Sequence, residues 1–152
     1  MNAGARLGIV LATSMFMFVL VPLAACGDDD PPPPENAGQS CAQPAECYPN
    51  VEAGALRGAV QCLTRVTGGY CTHLCQTDAD CCAVPGECPG GRAQVCSPFE
   101  STGQMMCFLS CEGADISAAG VPEGDYCQRF AHPDFGCRSS GGGKANRKVC
   151  VP

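Results

Sequence analysis

Cysteine constrains this chain more than any other residue. There are 15 in 152 residues, and all but Cys26 fall between Cys41 and Cys150. That density marks a disulfide scaffold or a metal-loaded protein. The spacing separates the two. Zinc and iron–sulfur sites favour Cys-x2-Cys, because two thiolates one turn apart can share a metal. No Cys-x2-Cys, Cys-x-Cys or Cys-x-x-Cys-His is present, so metal-thiolate binding is the weaker alternative. An even set reads as a disulfide framework. Without Cys26 the set is even: Cys41, Cys47, Cys62, Cys71, Cys75, Cys81, Cys82, Cys88, Cys96, Cys107, Cys111, Cys127, Cys137 and Cys150. Counting alone allows on the order of 10⁵ pairings of such a set.

The spacing repeats. Cys71-Thr-His-Leu-Cys75-Gln-Thr-Asp-Ala-Asp80 returns as Cys107-Phe-Leu-Ser-Cys111-Glu-Gly-Ala-Asp115, and Cys41-x5-Cys47 matches Cys75-x5-Cys81. Cys62 to Cys71, Cys96 to Cys107 and Cys137 to Cys150 are similar loops. Self-similarity of this kind signals an array of small units, here 41–74, 75–110 and 111–152. The expected pairing is first to third and second to fourth within each unit. Cys82 and Cys88 are extra to the second unit and close a local loop. The expected fold is small and disulfide-rich: short β-hairpins and loops in about three tandem cysteine-closed units, with little helix.

Composition agrees. The chain carries 19 Gly, 13 Pro and no Trp. Beyond Cys26 its aromatics are Tyr48, Tyr70, Phe99, Phe108, Tyr126, Phe130 and Phe135. A chain with so little to bury needs covalent staples. Gly68-Gly69, Pro85-Gly86, Pro89-Gly90-Gly91 and Gly141 to Gly143 are turn signals. Val95 to Ser97, Met105 to Leu109 and Lys148 to Val151 are candidate hairpin arms. Ala-rich Val51 to Val60 is the candidate helix, although Gly54 and Gly58 cut it. The net charge of −6 and pI of about 4.7 give no basic face for a phosphate backbone, so nucleic acid is not expected as a partner.

The N-terminus reads as a targeting segment. Arg6 precedes an apolar run from Leu7 to Leu23 that ends in small residues, the pattern of a secretory signal. A spanning helix wants about 20 apolar residues; this run contains Pro22 and meets Asp28, Asp29 and Asp30. Leu23-Ala24-Ala25-Cys26 resembles the lipobox of bacterial lipoproteins. The resemblance implies cleavage before Cys26, a diacylglyceryl thioether on its sulfur and usually an acyl chain on its new amino group. Two acyl chains hold a protein on a membrane where one is marginal. Gly27 occupies the position where an aspartate would favour retention at the inner membrane, so the outer membrane is favoured. Residues 26–40, with Pro31 to Pro34, read as an extended, Asp- and Pro-rich tether.

The remaining chemistry is sparse. His73 and His132 stand apart in sequence, and neither has a nucleophile and orienter beside it. Glu112 and Asp115 form no convincing acid pair. Asp78 and Asp80 offer too few oxygens for calcium and suit turn capping. Gly141-Gly142-Gly143-Lys144 lacks the rest of a phosphate-binding loop. Arg138, Lys144, Arg147 and Lys148 form a basic cluster that reads as a solvated face or a contact for an acidic partner. No enzyme and no cofactor is expected. The stretch from Cys71 to Cys96, with its adjacent Cys81-Cys82, resembles the cystine-knot miniproteins; Cys75-x2-Asp78-x-Asp80-Cys81-Cys82 is similar to modules of the dickkopf and whey-acidic types. Those likenesses imply a compact disulfide fold and no activity. The functional expectation is a lipid-anchored envelope module that binds an unidentified envelope protein or glycan, or serves structurally. The alternative from another class is a protease inhibitor with Arg65 or Arg92 as bait.

Overall fold

The computed structural model describes residues 36–99, 103–117, 119–140 and 146–152. The signal segment, Cys26, the four prolines and Gly141 to Lys144 lie outside them. Three antiparallel hairpins follow one another: β1 (Val60–Cys62) with β2 (Cys71–His73), β3 (Gln94–Pro98) with β4 (Met105–Leu109), and β5 (Gly136–Ser139) with β6 (Lys148–Val151). Each belongs to one cysteine unit.

Register explains the cysteine pattern. Cys62 faces Cys71 across the first hairpin, Cys96 faces Cys107 across the second, and Cys137 faces Cys150 across the third. None of these neighbours bonds its opposite. Each reaches back to the segment before its hairpin, giving Cys41–Cys62, Cys47–Cys71, Cys75–Cys96, Cys81–Cys107, Cys111–Cys137 and Cys127–Cys150. The order is first to third and second to fourth in every unit, and Cys82–Cys88 is the local seventh bridge. In the chain-entropy account, a loop of 21–26 residues is worth about 3.4 kcal/mol and the short Cys82–Cys88 loop about 2 kcal/mol. The stretch resembling a cystine knot does not close on itself, because Cys71 and Cys81 pair with Cys47 and Cys107 outside it.

The repeat extends to the backbone. The residue before each new unit bridges the next hairpin at matching positions: Leu74 to Met106 and Ser110 to Val149. Cys75 N–H then donates to Met105 O, and Cys111 N–H to Lys148 O. In the first unit, Gly38 to Cys41 take this place: Gly38 N–H donates to Cys71 O, Cys71 N–H to Gln39 O, and Cys41 N–H to Gly68 O. The end of the expected tether is therefore part of the domain. Asn36 and Ala37 are buried, in the turn that opens the lead-in segment 36–40, whose place Leu74 and Ser110 take elsewhere. Gly69 permits it, since a Cβ there would sit 1.8 Å from Cys41 O.

Helix forms elsewhere than the composition suggests. Val51 to Ala59 is a series of bends and turns, and Val60 opens β1. Gly54 has φ +82°, and a Cβ on Gly58 would lie 1.8 Å from Leu74 O, so this stretch follows the hairpin rather than coiling. The helices are α1 (Gly113–Ile116) and α2 (Glu123–Phe130). In α2, Pro122 precedes acidic Glu123 and Asp125, Arg129 lies in the last turn, and Tyr126, Cys127 and Phe130 are buried. Each charge suits its end of the helix dipole. The two helices fill the long gap between the first and second cysteines of unit three, where units one and two use a short 3₁₀ turn (Pro44–Glu46, Asp78–Asp80).

The three units share one core. All seven aromatics named above are buried. Tyr70 of unit one stacks on Phe108 of unit two and Phe135 of unit three, with centroids 5.6 and 5.1 Å apart. Val66, Leu109, Tyr126, Phe130 and Val149 pack into the same cluster. Six aromatics concentrated in one place give that core more apolar area than their number suggests.

Candidate functional site

Histidine 73 is the last residue of β2, and its side chain enters the contact between units one and two. There it meets Glu87, carried by the loop that Cys82–Cys88 closes: His73 Nε2 lies 2.9 Å from Glu87 Oε1. Both side chains are fully buried. The other ring nitrogen, Nδ1, lies 2.9 Å from Leu74 O. Glu87 is also an acceptor for two backbone donors, Cys82 N–H at 2.6 Å to Oε1 and Val84 N–H at 3.2 Å to Oε2. Both ring nitrogens thus have a partner, and both carboxyl oxygens have one, so the hydrogen-bonding valences of this buried pair are filled.

The surroundings complete the enclosure. Asn36 Nδ2–H donates to Gly86 O and Glu87 O at 2.7 and 2.8 Å, clamping the loop from the other side. The Tyr48 ring stands edge-on to His73 with centroids 5.6 Å apart. Burial pushes the Tyr48 hydroxyl well up from its usual range, helped by nearby Tyr70 and Glu87. That hydroxyl is buried without a hydrogen-bond partner. Thr72 Oγ1–H donates to Cys107 O at 2.6 Å, a second tie between the units. Neither side chain is exposed to solvent, and their contact ties the end of β2 to the Cys82–Cys88 loop. His73, isolated in sequence, is thus half of a pair. The chain separation hid it, and the extra cysteine pair around Glu87 was the available signal.

No family model, curated protein or solved structure matches the chain.

The other candidates resolve into local roles. Asp80 Oδ2 accepts from Gln76 N–H and Thr77 N–H, both at 2.9 Å. These bonds, with Thr77 Oγ1 and Arg57 adding to them, hold its carboxyl below the usual range. Glu46 does the same in unit one, accepting from Ala42 N–H at 2.7 Å. The acid before the second cysteine is therefore a repeated turn cap. Asp78 Oδ1 accepts from Cys96 N–H, and its Oδ2 takes Arg147 at 2.7 Å. Arg147 also reaches Glu112 at 2.7 Å, so it clamps unit two to unit three; both acids raise its own pKa. Lys148 pairs with Glu123 at 2.7 Å. The C-terminal basic cluster is thus partly neutralised by acids of the same chain, while Arg138 is exposed. Asp115 accepts from Ser110 Oγ–H. His132 receives Asp134 N–H at Nδ1 and packs on Phe135.

Three cysteine triads bring sulfurs within 4.8 Å of one another: Cys41, Cys47 and Cys71; Cys75, Cys81 and Cys107; Cys111, Cys127 and Cys137. They arise because two disulfides lie side by side at each hairpin. Every sulfur in them is bonded to another, and a disulfide offers no thiolate to a metal. Of the two arginines considered as bait, Arg92 lies over the Phe130 ring at 3.9 Å, whereas Arg65 is exposed on the β1–β2 loop. A groove of about 560 Å³ on unit one is lined by Tyr48, Pro49, Val51, Leu56 and Val60. Among the described residues no helix is long and apolar enough to cross a membrane.

Proposed function

We propose that this chain is an exported bacterial lipoprotein, held at the cell envelope by acyl chains on Cys26. Its disulfide-stabilised domain serves as a non-catalytic binding or structural module. The observation that carries the reading is the cysteine account. Seven bridges use 14 cysteines, and of the 15 in the chain the one left over is Cys26. That residue is also the one the lipobox sets aside. Seven disulfides belong to an oxidising compartment, which agrees with export. Gly27 favours the outer membrane. The partner is an envelope protein or glycan, met by the loops between disulfides, which a rigid frame presents at low ordering cost.

The test is the intact mass of the protein purified from membranes, with and without reduction before alkylation. A chain that starts at diacylated or triacylated Cys26 and alkylates 14 thiols after reduction only supports the reading. An unlipidated start, or thiols that alkylate without reduction, refutes it. A second reading, protease inhibition, draws on Arg65 alone, exposed on a loop whose ends Cys62 and Cys71 are both bonded. Serine and cysteine proteases that stay fully active at micromolar domain would eliminate it.

A further inference from the structure

The seven bridges differ in what surrounds them. Each of the six repeat pairs has at least one buried cysteine: Cys41, Cys47 and Cys71, Cys75 and Cys96, Cys81 and Cys107, Cys111, and Cys127 and Cys150. Cys82–Cys88 has none. Cys82 is the one exposed cysteine among the described residues, and Cys88 is half-buried. The pair also lies outside the repeat, so the hairpins do not depend on it. Cys82 has φ +61°, a left-handed backbone that a non-glycine residue holds under strain. Its N–H is one of the bonds to buried Glu87.

We propose that Cys82–Cys88 is a thiol–disulfide exchange site for a dithiol reductant, and that it controls the loop carrying Glu87. A thiolate of the dithiol attacks the exposed Cys82 sulfur. A mixed disulfide forms, the Cys82–Cys88 bond breaks, and Cys88 leaves as thiolate. The second thiolate of the dithiol then attacks its own sulfur in the mixed disulfide and releases Cys82. Two electrons pass to the pair, the dithiol departs as a disulfide, and its two protons go to Cys82 and Cys88. Access and leaving-group character govern such exchange, and here access distinguishes this bridge. Opening it frees residues 82–88 from their closed loop and loosens the two backbone bonds to Glu87. The six repeat bridges keep the hairpins in place.

The experiment uses the oxidised protein with limiting dithiothreitol, timed alkylation and peptide mapping. Cys82 and Cys88 are expected to label together, about tenfold faster than any other cysteine. A repeat pair that labels first, or all pairs labelling at one rate, overturns the site. Hydrogen exchange on the selectively reduced protein reads the coupling. The Cys82 and Val84 amides are expected to lose protection while β3 and β4 keep theirs. Unchanged protection at Cys82 and Val84, or loss throughout, overturns the control of the loop. The double variant Cys82→Ser, Cys88→Ser should lose the fast phase and keep six bridges; a surviving fast phase would assign it to another pair.

Discussion

Tyr70, Phe108 and Phe135 stack where the three units meet, whereas His73 and Glu87 close the contact between units one and two with buried hydrogen bonds. The first interior is built from many small dispersion contacts, so damage to it is graded by volume. The second is built from a few donors and acceptors of fixed valence, so removing one leaves buried polar partners unpaired. Disulfides brace both regions, yet they do so differently. The aromatic interior takes in the two bridges of unit three, which follow the repeat. The polar one is closed by the seventh bridge and by Asn36, neither of which repeats. A small domain can thus repeat its frame while specifying each junction between units separately.

The sharpest way to break this contrast is Glu87→Ala in the oxidised protein. It is expected to cost about 3–5 kcal/mol in denaturant unfolding, because His73 loses its buried partner. The combined change His73→Leu with Glu87→Met should recover most of that loss; a double variant as unstable as the single one would mean that the unpaired polar group is not what matters there. In the apolar interior, Phe108→Leu should cost about 1–2 kcal/mol, a graded loss of ring contact. A cost equal to that of Glu87→Ala would erase the distinction between the two regions. Tyr48→Phe should leave stability unchanged or raise it by up to about 1 kcal/mol, since it removes a buried hydroxyl that has no partner. Clear destabilisation would show that the hydroxyl has a bound water or another acceptor.

Two smaller effects concern the surface. Arg147→Met should cost less than about 1 kcal/mol, because its acidic partners Asp78 and Glu112 are half-exposed and such pairs are screened. The loss should shrink further at high salt, and insensitivity to salt would contradict a simple ion-pair clamp. The Asp80 turn bears on pH. Its folded pKa is depressed by the Gln76 and Thr77 amides. Its contribution is therefore present above the unfolded carboxylate range and is lost as pH falls through the lower folded value. The Gln76 and Thr77 amide resonances should titrate with a midpoint below that of an ordinary aspartate; a midpoint at or above it would remove the cap.

The frame was legible because cysteine spacing is a covalent signal. The Cys-x5-Cys pairs, the cysteine-ended loops and the place of Cys82–Cys88 are all visible in the one-dimensional pattern, as are Met105 to Leu109 and Lys148 to Val151 as hairpin arms. The junctions were not. His73 and Glu87 carry no local motif and meet only after both loops close. Asn36 and Ala37 look like tether in sequence because the burial of this lead-in turn depends on backbone pairing of its neighbours, not on apolar side chains. Val51 to Val60 looks helical by its alanine content, but Gly58 is there for a close approach to Leu74 O, which only the folded hairpin reveals. The charge pattern of α2 was present in Pro122, Glu123, Asp125 and Arg129, but Gly124 interrupts it. Arg147 shows the same limit: its basic neighbours are adjacent in sequence, and its acidic partners come from two other segments.

Mapping disulfide-linked peptides from the unreduced protein tests the account most directly. The repeated frame predicts links 41–62, 47–71, 75–96, 81–107, 82–88, 111–137 and 127–150, with none crossing between units. A link from one unit to another, or a free thiol among these 14 cysteines, would contradict it.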